Sequence, residues 1–190
     1  SVEVTPQHLT LSAPECYDEL GTFAQMNPPI REGRHQKGLW KGIKDGVVDV
    51  IGSDHAPHTI EEKNKPYPDT PSGMPGVQTL LPIMLDHVNK GNLSLFKLCQ
   101  LISTNPAKLY KVINKGEIKL NNDADLTIID LNKEVKIKDD MMANKSGWTP
   151  FNNKTVKGWP IMTIVNGNIV MRDGELIGKP IGKPVSFNRD

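Results

Sequence analysis

The sequence has few cysteines, few aromatic residues and no long apolar run, and these shortages exclude several classes of protein. Its 2 cysteines, Cys16 and Cys99, lie far apart, which argues against a small disulfide-stapled scaffold and favours reduced, buried thiols in a cytoplasmic protein. No apolar stretch approaches the roughly 20 residues that a membrane-spanning helix requires. The first residues, SVEVTPQHL, show no signal-peptide pattern.

The sequence also lacks an excess of charge of either sign. Its 23 Lys and Arg residues are interspersed with 22 Asp and Glu residues, for a net charge of +1, and a nucleic-acid surface requires a clustered basic face. Apolar residues make up 37% of the chain and the mean hydropathy is -0.41. The 190 residues therefore predict one domain or two small lobes around a modest core.

The most informative stretch is residues 47–58, where a run of β-branched residues ends abruptly in polar ones. The segment VVDVIG is typical of a strand buried on both faces of a parallel sheet. Asp54 follows at the end of this strand, and His58 follows across a turn stiffened by Pro57. The carboxyl ends of strands carry the chemistry of parallel α/β barrels, so Asp54 and His58 are candidates for a metal or acid–base site.

Two further segments present groups that suit a polar ring substrate. Asn27 precedes two prolines that hold the chain extended, and its amide offers both a donor and an acceptor. Ser72 and Gly73 lie in a long loop rich in Pro and Gly, where the main chain can approach a ligand closely. Structural alternatives remain: Asn27 capping its own turn, Asp54 as a cap or ion-pair carboxylate, and His58 bonded to its own loop.

The hydrophobic patterns predict an α/β part followed by a β part. Residues 38–46 form a predicted helix directly before the strand at 47–52, as in the repeating unit of an α/β barrel. We place the boundary so that residues 1–115 hold the last barrel elements and residues 116–190 form a β-rich lobe with a loose tail. Loop is expected over residues 11–25, and the other expected elements are helices at 77–90, 95–103 and from Pro106, and strands at 2–4, 117–120, 124–131, 135–138, 161–165 and 168–171.

Three segments together resemble dihydroorotases of the amidohydrolase superfamily: NPPIR, DVIGSDHAPHT and PSGMPG, in this order. The resemblance covers the whole chain but only the C-terminal portion of such an enzyme. It implies part of a (β/α)8 TIM barrel with part of a small β-sandwich lobe. The implied activity is reversible, zinc-dependent hydrolysis of (S)-dihydroorotate to N-carbamoyl-L-aspartate in pyrimidine biosynthesis.

The resemblance also implies roles for individual residues. Asp54 would be both a metal ligand and the catalytic group that takes a proton from the attacking water and passes it to the leaving ring nitrogen. Asn27 and His58 would hold the substrate carboxylate and ureide, and Ser72 and Gly73 would contact the substrate through their main chain. His8 is left without a metal role, and His55 is expected to point away from Asp54 because neighbouring residues of a strand face opposite sides.

The chain lacks the other ligands that a catalytic zinc needs, because it contains no His-x-His pair. The resemblance places these ligands upstream, so the chain, which begins abruptly at Ser1, is expected to be an inactive fragment that does not fold alone. The expected partners are the upstream part of the enzyme, its substrate, and either a second copy or aspartate transcarbamoylase. A hydantoinase or allantoinase, and a non-catalytic scaffold subunit of aspartate transcarbamoylase, remain as alternatives.

Overall fold

A pair of parallel strands organises the first half of the molecule. The computed structural model describes residues 1–188, and in it β1 (Glu3–Val4) lies beside β2 (Val50–Ile51) in parallel. Hydrogen bonds from Val50 N to Val2 O and from Gly52 N to Val4 O extend this pairing at both ends. The strand predicted at 47–52 is therefore observed only as the two residues of β2, because β1 pairs with only these two.

The connection from β1 to β2 is helical. Thr5 caps α1 by accepting a hydrogen bond from His8 N at 3.3 Å, and the predicted loop at 11–25 contains a second helix whose first turn carries two acidic residues. The helix expected at 38–46 begins earlier, because a glycine is tolerated in a first turn. The elements are α1 (Pro6–Thr10), α2 (Glu15–Leu20), a 3₁₀ turn (Gly21–Ala24) and α3 (Gly33–Lys44).

Short helices follow β2 and lead into the second half. The expected helix at 77–90 is confirmed as α5 (Leu80–Asn89), and Ser94 caps the next helix as its sequence predicts. A π turn connects the last two helices without a break in the chain. The remaining elements are α4 (Ile60–Lys63), α6 (Leu95–Cys99), a π turn (Gln100–Thr104) and α7 (Asn105–Leu109).

The second half contains an antiparallel sheet in the order β3-β4-β5-β6. The Asn166-Gly167 turn joins two of its strands, as the sequence predicts. The strand expected at 117–120 is wrong: Ile118 is 93% exposed and has no ladder partner among residues 1–188. The strands are β3 (Leu126–Lys136), β4 (Thr155–Val165), β5 (Asn168–Arg172) and β6 (Glu175–Leu176), with a 3₁₀ turn at Asp139–Met141.

Helix α5 joins the two halves through close contact with β4. A Cβ atom at Gly158, where φ is +103°, would lie 2.7 Å from Leu85 Cβ. The Asn89 amide donates to the carbonyl oxygens of Leu131 at 3.0 Å and Lys157 at 2.9 Å. The junction therefore depends on a glycine that lets a strand approach a helix and on an amide that satisfies the strand's main chain.

His87 of α5 is buried, and its hydrogen bonds define which nitrogen of the neutral ring carries the hydrogen. Its Nδ1 accepts from the Asn92 amide at 2.8 Å, so the neutral ring donates from Nε2 to Thr10 Oγ1 at 3.0 Å. The ring also stacks against Trp40 with centroids 4.7 Å apart. Burial lowers the pKa of His87 to about 4, although the neighbouring Asp86 acts in the opposite direction.

The two cysteines are unpaired, as predicted, but only Cys16 is buried, and Cys99 is exposed. The predicted α/β class is confirmed by the parallel pair with its helices and the antiparallel sheet. The division into residues 1–115 and 116–190 stays a prediction. No helix within residues 1–188 is long and apolar enough to cross a membrane.

Replacing Gly158 by alanine should destabilise the protein by more than the strain of its positive φ alone. Gly174→Ala is the matched control, because Gly174 also has a positive φ of +90° but has open space where its Cβ would lie. We expect about 1–3 kcal/mol of additional destabilisation for Gly158→Ala from the clash with Leu85. Equal unfolding free energies of the two variants in urea titrations would contradict this account of the junction.

His87 should make the protein less stable as the pH falls. Its folded-state pKa of about 4 lies below the ordinary value of 6.5, so the unfolded chain binds the proton first and stability is lost between about pH 6.5 and 4. The loss should reach roughly 3 kcal/mol in urea titrations across this range. His87→Gln should flatten the dependence, whereas His35→Gln, at an exposed histidine, should leave it unchanged.

Candidate active site

Asp54 projects from the carboxyl end of β2 in an unusual backbone conformation. Its φ is +43°, a left-handed value that aspartate adopts more readily than most residues. Its side chain is exposed and makes no hydrogen bond or ion pair with any residue from 1 to 188. No described residue therefore serves as the partner that the cap and ion-pair alternatives for Asp54 require. Local backbone strain holds its free carboxylate at a strand end.

An open cleft of about 740 Å³ brings Asp54 together with Asn27. This volume suits a small ring compound. Asn27 is exposed, and its amide bonds to no described residue, so the turn-capping alternative is not observed. Arg31 also lines the cleft without an ion pair inside the described chain, which places a cation near the two candidate groups.

His8 shares this cleft, although the sequence analysis gave it no role. Its Nε2 donates to Pro28 O at 2.9 Å, and its Nδ1 lies 2.8 Å from Thr5 Oγ1. The signal for this residue was available, since His8 follows the end of β1 as Asp54 follows the end of β2. Parallel pairing brings both strand ends to the same edge of the sheet.

His58 and Ser72 form a second group that does not line the cleft. The His58 Nε2–H donates to Ser72 O at 3.1 Å, and its Nδ1 lies 3.6 Å from a Glu62 carboxylate oxygen. The imidazole is therefore bonded within its own loop, which is the structural alternative for His58. The substrate role of His58 stays a prediction.

Gly73 packs against the same loop with no room for a side chain. Its φ is +140°, and a Cβ would lie 2.7 Å from both Ala56 Cβ and Ala56 O. Its N–H donates to Gln25 O at 3.0 Å. Two main-chain groups, Ser72 N–H and Gly73 C=O, have no protein hydrogen-bond partner in residues 1–188, and their contact with a substrate stays a prediction.

His55 lies next to Asp54 in sequence, but its side chain is hydrogen-bonded to the loop that contains Gly76 and Val77. Its Nδ1 accepts the N–H of Gly76 at 3.1 Å and that of Val77 at 3.4 Å. The neutral ring therefore carries its hydrogen on Nε2. His55 joins two loops, and it does not line the cleft that contains Asp54.

Lys63 is a buried charge that the sequence analysis did not single out. Its side chain has 0% exposure, and its Nζ donates to Gln25 O and Pro71 O, both at 2.9 Å. Burial lowers the pKa of Lys63 to about 8. Trp148 lies next to it, with the ring centroid 6.0 Å from Nζ, and donates from its indole nitrogen to His58 O at 2.8 Å.

The described residues do not by themselves form a metal site. Asp54 and His8 are ligand types that suit zinc, but no group of three or more His, Cys, Asp or Glu side chains within residues 1–188 is arranged to hold an ion. A catalytic zinc needs three protein ligands. The second large cavity, of about 600 Å³ between α6 and β3, contains none of the predicted site residues.

Comparison with the profiles of protein families identifies the family of this chain. The profile described as the amidohydrolase family matches residues 13–170. The chain belongs to the amidohydrolase family. The match spans Asn27, Asp54, His58 and the Ser72-Gly73 loop, so all of the predicted site residues lie within the family region.

The sequence relatives of this amidohydrolase chain include several dihydroorotases. That of Pyrococcus furiosus is 42% identical over 185 residues, which are 97% of this chain and 42% of the relative. That of Methanosarcina mazei is 40% identical over 94% of this chain and 39% of the relative. The chain thus spans about two-fifths of the length of these curated relatives.

The solved structures that resemble this chain include hydantoinases. The L-hydantoinase (dihydropyrimidinase) from Arthrobacter aurescens superposes with a TM-score of 0.89 at 33% identity, over 93% of this chain and 40% of its own. The dihydropyrimidinase from Brevibacillus agri gives a TM-score of 0.86 at 29% identity, with the same coverage. The chain thus also spans about two-fifths of the length of these solved structures.

Gly73→Ala should open the loop that carries Ser72. The added Cβ would collide with Ala56, and the neighbouring hydrogen bonds from Gly73 N to Gln25 O and from Ala56 N to Met74 O should weaken. We expect amide hydrogen exchange at positions 56 and 73 to become at least about tenfold faster. Gly91→Ala, with a positive φ but open space around its Cβ, should leave both positions protected.

Proposed function

We propose that this chain supplies the C-terminal part of the active site of a dihydroorotase. The reaction would be the reversible hydrolysis of dihydroorotate to N-carbamoyl-L-aspartate, a step of pyrimidine synthesis. The observation that carries the proposal is the free Asp54 carboxylate, held at a strand end in the same cleft as Asn27. The identities near 40% with dihydroorotases across almost the whole chain support this substrate.

Asp54 is the group that moves the proton. Its carboxylate is exposed and unpaired in residues 1–188, so it is free to accept a proton from the attacking water. The same carboxyl then donates this proton to the ring nitrogen, which leaves as the ring amide opens.

The substrate is held by groups that match a cyclic ureide. The Asn27 amide offers a donor and an acceptor to the ring, and Ser72 N–H and Gly73 C=O offer a second such pair from the main chain. His58 and Arg31 supply cationic or donor groups suited to the substrate carboxylate. His58 would first have to exchange its hydrogen bond to Ser72 O for one to the substrate.

A metal ion, proposed here as one or two zinc ions, would supply the activation of water near neutral pH. Asp54 and His8 would be this chain's ligands, and the others would come from elsewhere in the protein. For His8 to bind an ion through Nε2, its bond to Pro28 O must break, while the Thr5 hydroxyl remains to orient the ring through Nδ1.

Hydantoinase or dihydropyrimidinase activity is the second candidate, and the superposition with the Arthrobacter aurescens enzyme favours it. Dihydroorotate carries a carboxylate that hydantoin and dihydrouracil lack, and hydantoin also has a smaller, five-membered ring. A panel of these three compounds, offered to the intact protein, decides between them. A preference for either uncharged ring would overturn the dihydroorotase proposal.

Asp54→Asn should abolish most of the activity while leaving the fold intact. The amide keeps the size of the carboxyl but cannot accept the proton, so kcat should fall by about 10²–10⁴-fold with a smaller change in KM. Asp69→Asn removes another exposed carboxylate, from the loop after α4, and should have wild-type rates. Wild-type kcat in Asp54→Asn would exclude Asp54 as the proton-transfer group.

A further inference from the structure

Lys63 occupies a position that packing alone does not explain. Its side chain has no exposed surface, and it forms no ion pair with a carboxylate in residues 1–188. Burying an ammonium group without an opposite charge is costly. A methionine of similar length would fill the same space without that cost, so the nitrogen itself must contribute something to the site.

The nitrogen joins two segments that are distant in sequence. It donates to the carbonyl oxygens of Gln25 and Pro71, both at 2.9 Å. Gln25 lies two residues before Asn27, and Pro71 directly precedes Ser72. One side chain thus spans the two segments from which the proposed substrate contacts arise.

The main chain around Lys63 strengthens the same connection. Hydroxyl groups of Thr22 and Thr70 both donate to the Lys63 carbonyl, one from each segment. Gln25 O, which accepts from Lys63 Nζ, also accepts the Gly73 N–H at 3.0 Å. The Lys63 backbone and side chain are therefore the shared anchor of both segments.

Trp148 lies beside the Lys63 ammonium group. Its ring lies 6.0 Å from Lys63 Nζ and packs edge-on against Phe23 with centroids 4.9 Å apart. Its indole N–H bonds to the carbonyl oxygen of His58. Water is kept from the ammonium group, so its hydrogen bonds to the two carbonyls act in a medium of low dielectric, where they are strong.

We propose that Lys63 is a positioning residue, which sets the distance between the Asn27 segment and the Ser72-Gly73 loop. This inference rests on the proposed function for its catalytic consequence, but the coupling of the two segments is a property of the chain itself. Lys63 acts through Asn27, Ser72 and Gly73, and it contacts no substrate.

The first test measures the coupling without substrate, by amide hydrogen exchange at Gly73 in the intact protein. Lys63→Met removes the bridge, so exchange at Gly73 should become about tenfold faster or more, while the amides of α5 stay protected. Lys65→Met, at an exposed lysine two residues away, is the control and should match the wild type. Unchanged exchange at Gly73 in Lys63→Met would overturn the proposal.

Lys63→Arg covers the case in which the methionine variant does not fold. Arginine keeps N–H donors but carries them on a longer, planar head, so Gly73 should stay protected while the two carbonyls are moved apart. We expect kcat/KM to fall by about tenfold or more, because small displacements of substrate-contacting groups are costly. Wild-type kcat/KM in Lys63→Arg would show that the spacing does not matter.

The second test is a double-mutant cycle on kcat/KM with dihydroorotate. Lys63→Met should lower kcat/KM by about 10²-fold in the wild type but by a clearly smaller factor when Asn27 is already alanine, because one of the contacts that Lys63 positions is then already lost. Equal factors in both backgrounds would indicate general destabilisation and overturn the positioning role. A wild-type protein that does not turn over dihydroorotate would defeat the proposed function but leave the exchange test of Lys63 valid.

Discussion

The parallel pairing of β1 with β2 is the constraint on which the candidate site depends. Two residues of each strand form the ladder, Glu3 with Val50 and Val4 with Ile51, and both strands then end at the same edge. His8 and Asp54 line one cleft for this reason, although they lie 46 positions apart in the sequence. A register shift would turn inward-facing residues outward and separate the two groups.

Hydrogen bonds from side chains to the main chain also order the loops of the molecule. Lys63, Trp148 and Gln25 use side-chain donors to satisfy main-chain carbonyls of segments that have no ladder of their own. Long loops without regular structure lose much entropy when ordered, and such bonds offset part of that loss. The same contacts stabilise the Pro- and Gly-rich segment 64–76, in which Gly73 and Gly76 are closely packed.

The candidate substrates of the two enzyme classes differ by only a few atoms. Dihydroorotases and hydantoinases act on related rings, and the chain resembles the first in sequence and the second in superposed structures. A shared scaffold with different side chains at the cleft is what such a pattern predicts. In the proposed function, Asn27, Arg31 and His58 are the groups that would contact the carboxylate that distinguishes dihydroorotate.

The sequence by itself determined the α/β class, a helix in the region of α5, which it placed at 77–90, and the Asn-Gly hairpin, because turn residues and apolar periodicity are local signals. It wrongly predicted a strand at 117–120, because a strand exists only where a partner completes its hydrogen bonds. Only the tertiary structure decided that His8 shares the cleft, that His58 bonds to Ser72 O, and that Lys63 is buried. Those outcomes depend on which segments pack together, and no local pattern encodes the partner of a buried donor.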